Sequence, residues 1–426
     1  MKAAFFTLGC KANQFETQAL SRLFSERGFE VVPFEEKADV YVINTCSVTA
    51  FADRKSRTAI RRARALSPDA AVIVCGCYSE HESRDALSKC GADLIFGSAD
   101  KSRIPKLTEA FLKSRTAPPL PPPSKEFDFL PAGVPDGRTR ALLKVQDGCR
   151  NFCTYCIIPF VRGELRSLPL HLAVSESARL EKEGCREIVL TGIEISSYGV
   201  DLPEKPELSD LIKAVCAAAP SARIRLGSLE PRTVTREFAE KTSGLSNLCS
   251  HFHLSLQSGC DRTLKAMGRR YSAARFEESC AILREYFPDC ALTTDLIVGF
   301  PGETEEDFSE TLSFLDSIGF AQVHVFPYSK RTGTRAASFP GQLTAGQKEE
   351  RAARAAKAAA ETRRRYLETL YGKTLSVLFE QEEDGYFSGH SGQYIPVYVK
   401  GEGLRSSLLP VKITGALRDG LTGEIV

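Results

Sequence analysis

The sequence predicts an α/β protein in three parts, and three observations predict it. Apolar runs alternate with amphipathic, helix-compatible segments through residues 1–112, and the alternation resumes from residue 139. A proline-rich stretch separates the two series, the mark of a linker. After Gly372 the pattern changes to short β-like runs. With 426 residues, 42% of them hydrophobic, the chain can bury several cores. The apolar stretch after Met1 is too short for a signal peptide, and no window approaches the ~18 apolar residues of a transmembrane helix, so no membrane partner is expected. Fourteen cysteines in so large a chain point to thiols used for metal or redox work in a cytoplasmic protein rather than to disulfides. A net charge of +2 excludes a global basic field, so any nucleic acid must be held by local patches.

In residues 1–112 the apolar runs at 3–8, 39–43, 71–74 and 93–96 predict a mainly parallel sheet, whose ligands sit beyond the carboxyl ends of its strands. Cys10, Cys46 and Cys77 all occupy that position, so three remote thiols can converge on one edge. Residues 113–138 are the linker, stiffened in polyproline II form over 116–123. Residues 139–371 offer six strand candidates, at 141–145, 187–191, 223–227, 251–256, 291–298 and 321–326, and a final Ala/Arg/Glu-rich helix over 346–371. They predict a full or partial β/α barrel with its site at the carboxyl ends of the strands. Residues 372–426, with runs at 374–379, 385–388, 395–400 and 408–414, predict a small closed or nearly closed β-barrel.

Right after the first strand of the second series comes Cys149-x3-Cys153-x2-Cys156. A fully ligated cluster or a structural zinc needs four ligands, and the next cysteine, Cys185, is far along the chain. The triad suits a 4Fe-4S cluster with one exchangeable iron. A zinc completed by a distant residue, or three incidental thiols, are the alternatives.

With Tyr155 before its third cysteine, this triad resembles the signature of the radical S-adenosylmethionine (SAM) enzymes. The resemblance implies that SAM chelates the open iron and that a low-potential electron cleaves it to a 5′-deoxyadenosyl radical, shielded by the barrel. Gly192, Ser228, Glu230 and Gln257 follow successive strands and are the expected SAM contacts. The turn from Asp295 to Glu303, reading Asp-Leu-Ile-Val-Gly-Phe-Pro-Gly-Glu, ends the fifth strand.

The upstream motifs Gly9-Cys10-Lys11-Ala12-Asn13, Asn44-Thr45-Cys46-Ser47-Val48-Thr49 and Gly76-Cys77-Tyr78 resemble the three ligand motifs of the methylthiotransferases. This resemblance spans nearly the whole chain and implies a second 4Fe-4S cluster on Cys10, Cys46 and Cys77 that delivers sulfur, and a C-terminal barrel of the TRAM type. It also implies tRNA as partner, an electron donor of the flavodoxin or ferredoxin type and a sulfur donor. Cys77 is preferred to Cys75 because the family motif reads Gly-Cys and because it lies past the strand end. The motif details, with Cys156-Ile157-Ile158-Pro159-Phe160-Val161-Arg162-Gly163, look most like the branch acting at C2 of N6-threonylcarbamoyladenosine next to the anticodon. Isopentenyladenosine in tRNA and a ribosomal-protein aspartate are the family's other acceptors. Glu194 departs from the neutral or imidazole side chain that related sequences often carry there.

For RNA, Arg54, Arg57, Arg61 and Arg64 would align in one helical stripe able to track phosphates, or form an ordinary solvated face. Residues 372–426 hold five basic and seven acidic side chains, so that barrel would bind through shape and aromatics such as Tyr386, Phe387 and Tyr394, or leave the grip elsewhere. Outside the enzyme class, a non-catalytic iron–sulfur carrier would make no 5′-deoxyadenosine, and an RNA-binding module would turn nothing over.

Overall fold

The computed structural model describes residues 1–119, 124–133 and 139–426. The proline run at 120–123 and the linker residues 134–138 lie outside the described residues, and with them half of the expected polyproline segment. Five parallel strands form the first sheet: β1 (Lys2–Thr7), β2 (Glu30–Val32), β3 (Val40–Thr45), β4 (Ala71–Gly76) and β5 (Leu94–Ile95), in the order β2-β1-β3-β4-β5. Strand β2 was not expected; three residues on an edge, closed by Pro33, leave little pattern to read. Helices α1 (Lys11–Ser25), α2 (Ala50–Leu66), α3 (Cys77–His81), α4 (Arg84–Lys89) and α5 (Ile104–Ser114) connect the strands. Alternate residues of β3 face opposite layers: Val40 and Val42 pack with Phe24 and Phe111, Tyr41 and Ile43 with Ile60 and Leu87. Cys75 points into the first of these layers, and burial pushes its thiol up to about 12.

The second unit is a parallel arc of strands: β6 (Arg140–Lys144), β9 (Glu187–Thr191), β10 (Arg223–Leu226), β11 (Ser228–Leu229), β12 (His251–Leu254), β13 (Ala291–Val298) and β14 (Gln322–Pro327). Between β6 and β9, the two-residue strands β7 (Gln146–Asp147) and β8 (Arg166–Ser167) pair antiparallel and close a loop that holds helix α6 (Ile158–Arg162). Strand β10 runs on into β11 past Gly227, and no ladder joins β6 to β14 among the described residues, so the barrel is partial. Its layer of helices is α7 (Leu170–Lys182), α8 (Leu208–Ala218), α9 (Arg236–Ser243), α10 (Asp261–Met267), α11 (Ala273–Tyr286) and α12 (Glu305–Ile318), followed by the long α13 (Ala345–Glu368). Helix α1 serves two cores: Leu20 and Phe24 face its own sheet, while Phe15 and Ala19 enter the barrel core beside Ala141 and Leu143.

Five strands close the third unit: β15 (Thr374–Glu383), β16 (Tyr386–Ser391), β17 (Pro396–Val399), β18 (Leu408–Leu417) and β19 (Gly420–Ile425), in the order β15-β16-β17-β19-β18. Closure removes the free edges. Its seat on the larger barrel is polar. Arg223 and Arg225 both donate to the buried Glu187, and their remaining donors reach the carbonyls of Ser376, His390, Ser391 and Gly392. No helix among the described residues is long and apolar enough to cross a membrane.

Candidate active site

Cys10, Cys46 and Cys77 follow β1, β3 and β4, at the point where the strand order reverses, the usual ligand site of an open parallel sheet. Two glycines make the convergence possible. At Gly9, φ is +104° and a Cβ would stand 2.8 Å from the Cys46 Sγ; at Gly76, φ is again +104° and a Cβ would meet the Thr45 carbonyl at 2.4 Å. Asn13 clasps the two central strands by donating from Nδ2 to the Leu8 carbonyl at 2.7 Å and the Thr45 carbonyl at 3.0 Å. Burial, with the neighbouring Cys77 and Cys10 thiols, pushes Cys46 up to about 11.

The second triad lies in the loop between β7 and β8. Gly148 takes φ +75° with Glu164 O only 1.9 Å from where a Cβ would be, and Phe152 adopts φ +47° between the first two cysteines. Thr154 N donates to Met267 O at 2.9 Å, pinning the loop to the end of α10, and Asn151 N donates to Cys149 Sγ at 3.5 Å. Burial pushes Cys149 up to about 11 and Cys156 to about 12. In each triad the sulfurs are near enough to raise one another's pKa, yet among the described residues none closes on a single ion. Three thiols suit a 4Fe-4S cluster with one open iron, and a bound cation would stabilise the thiolates that burial disfavours.

An arginine serves each triad. Arg269 donates from Nη1 to Cys153 Sγ at 3.3 Å, with Tyr271 OH at 2.9 Å from its Nε. Arg162, the last residue of α6, donates from Nε to Cys77 Sγ at 3.3 Å, from Nη2 to Asn13 Oδ1 at 2.5 Å and from Nη1 to Glu16 Oε1 at 2.6 Å. Around it Lys144 bonds Glu16 at 2.9 Å and Asp147 at 3.1 Å, and Lys101 stands 3.1 Å from Glu16. Despite the penalty of burial, these cations hold the Glu16 and Asp147 carboxyls well below the usual range. Sequence reasoning quoted Arg162 within its motif and gave it no role. The available signal was a charge closing the apolar run 157–161, which only a buried partner would accept.

A cavity of about 520 Å³ opens between the three units, with Cys10 and Lys11 on one side, Gly192 and Ser228 at strand ends and Tyr394 of the small barrel opposite. Of the expected SAM contacts, Gly192 and Ser228 line it. Glu230 is paired with Arg232 at 2.8 Å, and Gln257, at φ +71°, is tied into the β13 ladder; neither lines the cavity. Glu194 spends its carboxylate on the backbone of Ser196, at 3.1 Å, and the hydroxyl of Ser197, and burial raises its pKa. Glu303, at the end of the expected Gly/Pro turn, accepts from Gly299 N at 2.7 Å and Arg351 at 2.5 Å. Sequence reasoning missed His251, His253 and His324, although the alternation His251-Phe252-His253 places two imidazoles on one face of a strand.

The arginine stripe divides. Arg54 and Arg61 are exposed, whereas Arg57 donates to Tyr78 OH at 2.8 Å and Arg64 caps the carbonyls of Pro68, Ala70 and Gly91 and meets Asp93 at 2.5 Å. Of the three aromatics expected to meet RNA, Phe387 is in the core of the small barrel and Tyr394 faces the inner cavity; Tyr386 is half-buried beneath Lys400.

Residues 143–315 match the radical SAM superfamily, and residues 2–97 match an uncharacterised protein family designated UPF0004. The fold and the two cysteine sites therefore define a radical SAM enzyme with a second thiol site upstream. The chain is 38% identical, over 97% of its length and 94% of the relative's, to the threonylcarbamoyladenosine tRNA methylthiotransferase MtaB of Bacillus subtilis. It is 38% identical to the protein of the same name from Aquifex aeolicus, over 90% and 93% of the two chains. A tRNA-2-methylthio-N(6)-dimethylallyladenosine synthase of Oleidesulfovibrio alaskensis is 34% identical over 98% and 97%. The chain belongs to the methylthiotransferase family of radical SAM enzymes. Among solved structures, the radical SAM methyltransferase TsrM of Kitasatospora setae shares the fold with a TM-score of 0.57 at 15% identity, covering 79% of this chain and 73% of that one.

Proposed function

We propose that the protein inserts sulfur and a methyl group at C2 of N6-threonylcarbamoyladenosine in tRNA, next to the anticodon. The observation that carries this reading is the single cavity onto which Cys10 of one triad and the strand ends Gly192 and Ser228 both open. The cofactors of this class, SAM and 4Fe-4S clusters, supply a carbon-centred radical and a transferable sulfur when bound. The chain's own part is positional. Cys149, Cys153 and Cys156 hold one cluster in a loop anchored by Thr154; Cys10, Cys46 and Cys77 hold the other at the sheet edge. Arg269 and Arg162 set a positive charge against one thiolate of each, and the barrel wall keeps bulk water from the reacting carbon.

In this reading residues 1–112, 139–371 and 372–426 are the sulfur, radical and TRAM-like domains, joined by the linker. The partners are tRNA, a flavodoxin or ferredoxin that reduces the radical-side cluster, and a sulfur donor, all in the cytoplasm. Full-length relatives named for threonylcarbamoyladenosine support the acceptor. Nucleoside mass spectrometry of tRNA from cells with and without the gene tests it. Loss of 2-methylthio-N6-threonylcarbamoyladenosine on deletion is expected, and unchanged levels would refute the assignment.

A further inference from the structure

The inner cavity holds polar groups that neither triad uses. Lys11, next to Cys10, has an exposed side chain and reaches it with no carboxylate in ion-pair range among the described residues; the Tyr394 ring lies 5.9 Å away, and the lysine charge is felt by His251 and His324. Tyr394 is itself crowded by cations, with Arg225 at 4.6 Å and Arg140 at 5.2 Å, and stacked on His390. The cavity thus presents a lysine charge with no ion-pair partner among the described residues.

A second observation concerns proton placement. Asp295 Oδ2 stands 3.4 Å from His253 Nε2, which favours the proton on that nitrogen. His253 Nδ1 is then an acceptor, and Thr293 Oγ1 at 3.0 Å has one proton to give it. Having given it, Thr293 Oγ1 accepts from His251 Nε2, at 3.1 Å. The relay leaves His251 Nδ1 as a bare acceptor, in a residue only 4% exposed that lines the cavity, and among the described residues that atom has no partner. Burial and the neighbouring Arg225 keep this imidazole neutral, which preserves the acceptor. A buried acceptor without a donor is a site waiting for one.

We propose that this cavity reads the threonylcarbamoyl arm of the acceptor base, Lys11 binding its carboxylate and His251 Nδ1 accepting from a hydroxyl or amide N–H of the same arm. The proposal rests on the acceptor assigned above and deepens it. An apolar dimethylallyl arm offers neither an anion nor a donor and would leave both groups unpaired, the arrangement by which a polar site rejects an analogue. SAM also carries a carboxylate, so the test separates the two sources.

Anticodon stem–loops carrying threonylcarbamoyladenosine, dimethylallyladenosine or plain adenosine are titrated into the reconstituted two-cluster enzyme without reductant, by fluorescence anisotropy. SAM binding is measured in parallel by calorimetry. The wild type is expected to prefer the threonylcarbamoyl RNA over plain adenosine. Lys11→Met should cut that preference about tenfold, the worth of one charge-assisted hydrogen bond, and His251→Phe about threefold, that of a neutral one. Affinity for the plain RNA, affinity for SAM and iron content should hold, and Lys11→Arg should restore most of the preference. Equal affinity of the wild type for the three RNAs would overturn the proposal while leaving the methylthiolation assay free to uphold the acceptor. A Lys11→Met variant that loses SAM affinity and keeps its RNA preference would overturn it too, by assigning the lysine to SAM.

Discussion

The two cysteine triads reach the same end by opposite routes. Cys149, Cys153 and Cys156 lie in one loop, shaped by Gly148 and pinned through Thr154 to α10. Cys10, Cys46 and Cys77 come from three strand ends and meet only once the parallel sheet has formed. Their arginines differ in the same way. The donors of Arg269 go to Tyr271, the Ser255 carbonyl and the Cys153 sulfur, with no carboxylate among them. Arg162 is tied to Glu16 and Asp147, and its partners Asn13, Glu16 and Cys77 lie across the junction in another unit. A local site can be built from a loop and an arginine without buried carboxylates. A site assembled over long range here carries its own network of buried charges.

The strongest test of this contrast is removal of each triad. Alanine at Cys149, Cys153 and Cys156, or at Cys10, Cys46 and Cys77, should lower iron from about eight to about four atoms per chain and abolish methylthiolation. The first set should also abolish 5′-deoxyadenosine, which the second should retain. Full iron in either variant would break the assignment.

Next come the arginines. Arg162→Ala removes the buried cation that bonds Glu16, Asn13 and Cys77 together, leaving the carboxylates to Lys144 and Lys101, and should cost about 3 kcal/mol in chemical denaturation. Arg269→Ala, which leaves no carboxylate unpaired, should cost about 1–3 kcal/mol. The sign of the pH effect follows from Glu16 and Asp147, whose folded pKa values are depressed. Their contribution is complete above about pH 5 and is lost as pH falls through the acid range. The wild type should therefore lose stability on acidification, and Arg162→Gln should flatten that loss while Arg269→Gln leaves it in place. Parallel pH profiles for all three proteins would refute the network.

The smallest effects belong to the arginine stripe. If the exposed Arg54 and Arg61 each meet a phosphate, Arg54→Ala and Arg61→Ala should each reduce the salt slope of tRNA binding by about 1. Arg64→Ala should leave the slope unchanged and cost about 1–3 kcal/mol of stability through the carbonyls it caps. A slope change at Arg64 would restore the stripe as a whole.

What the sequence made legible follows the range of the contacts. The radical-side triad is a local pattern, and the barrel strands beside it are continuous apolar runs, so both could be read directly. The parallel first sheet was legible because buried strands are apolar on both faces. Strand β19 was not, since Leu421-Thr422-Gly423-Glu424 alternates too weakly to stand out. The role of Arg162 was not either: its partners lie up to 149 residues away, and no periodicity encodes them. The cavity histidines were visible in spacing but not in meaning, because their proton order depends on Thr293 and Asp295 from the next strand.

Helix α6 begins two residues past Cys156 and ends at the arginine that touches Cys77. This has a consequence for biosynthesis. The N-terminal residues leave the ribosome first, yet Glu16 and its thiols then lack both Arg162 and Lys144, leaving the carboxylate with Lys101 alone. The charge shell around Glu16 is thus incomplete until the second unit is made, and maturation acquires an order: the barrel loop must form before the buried network beside Cys77 can close.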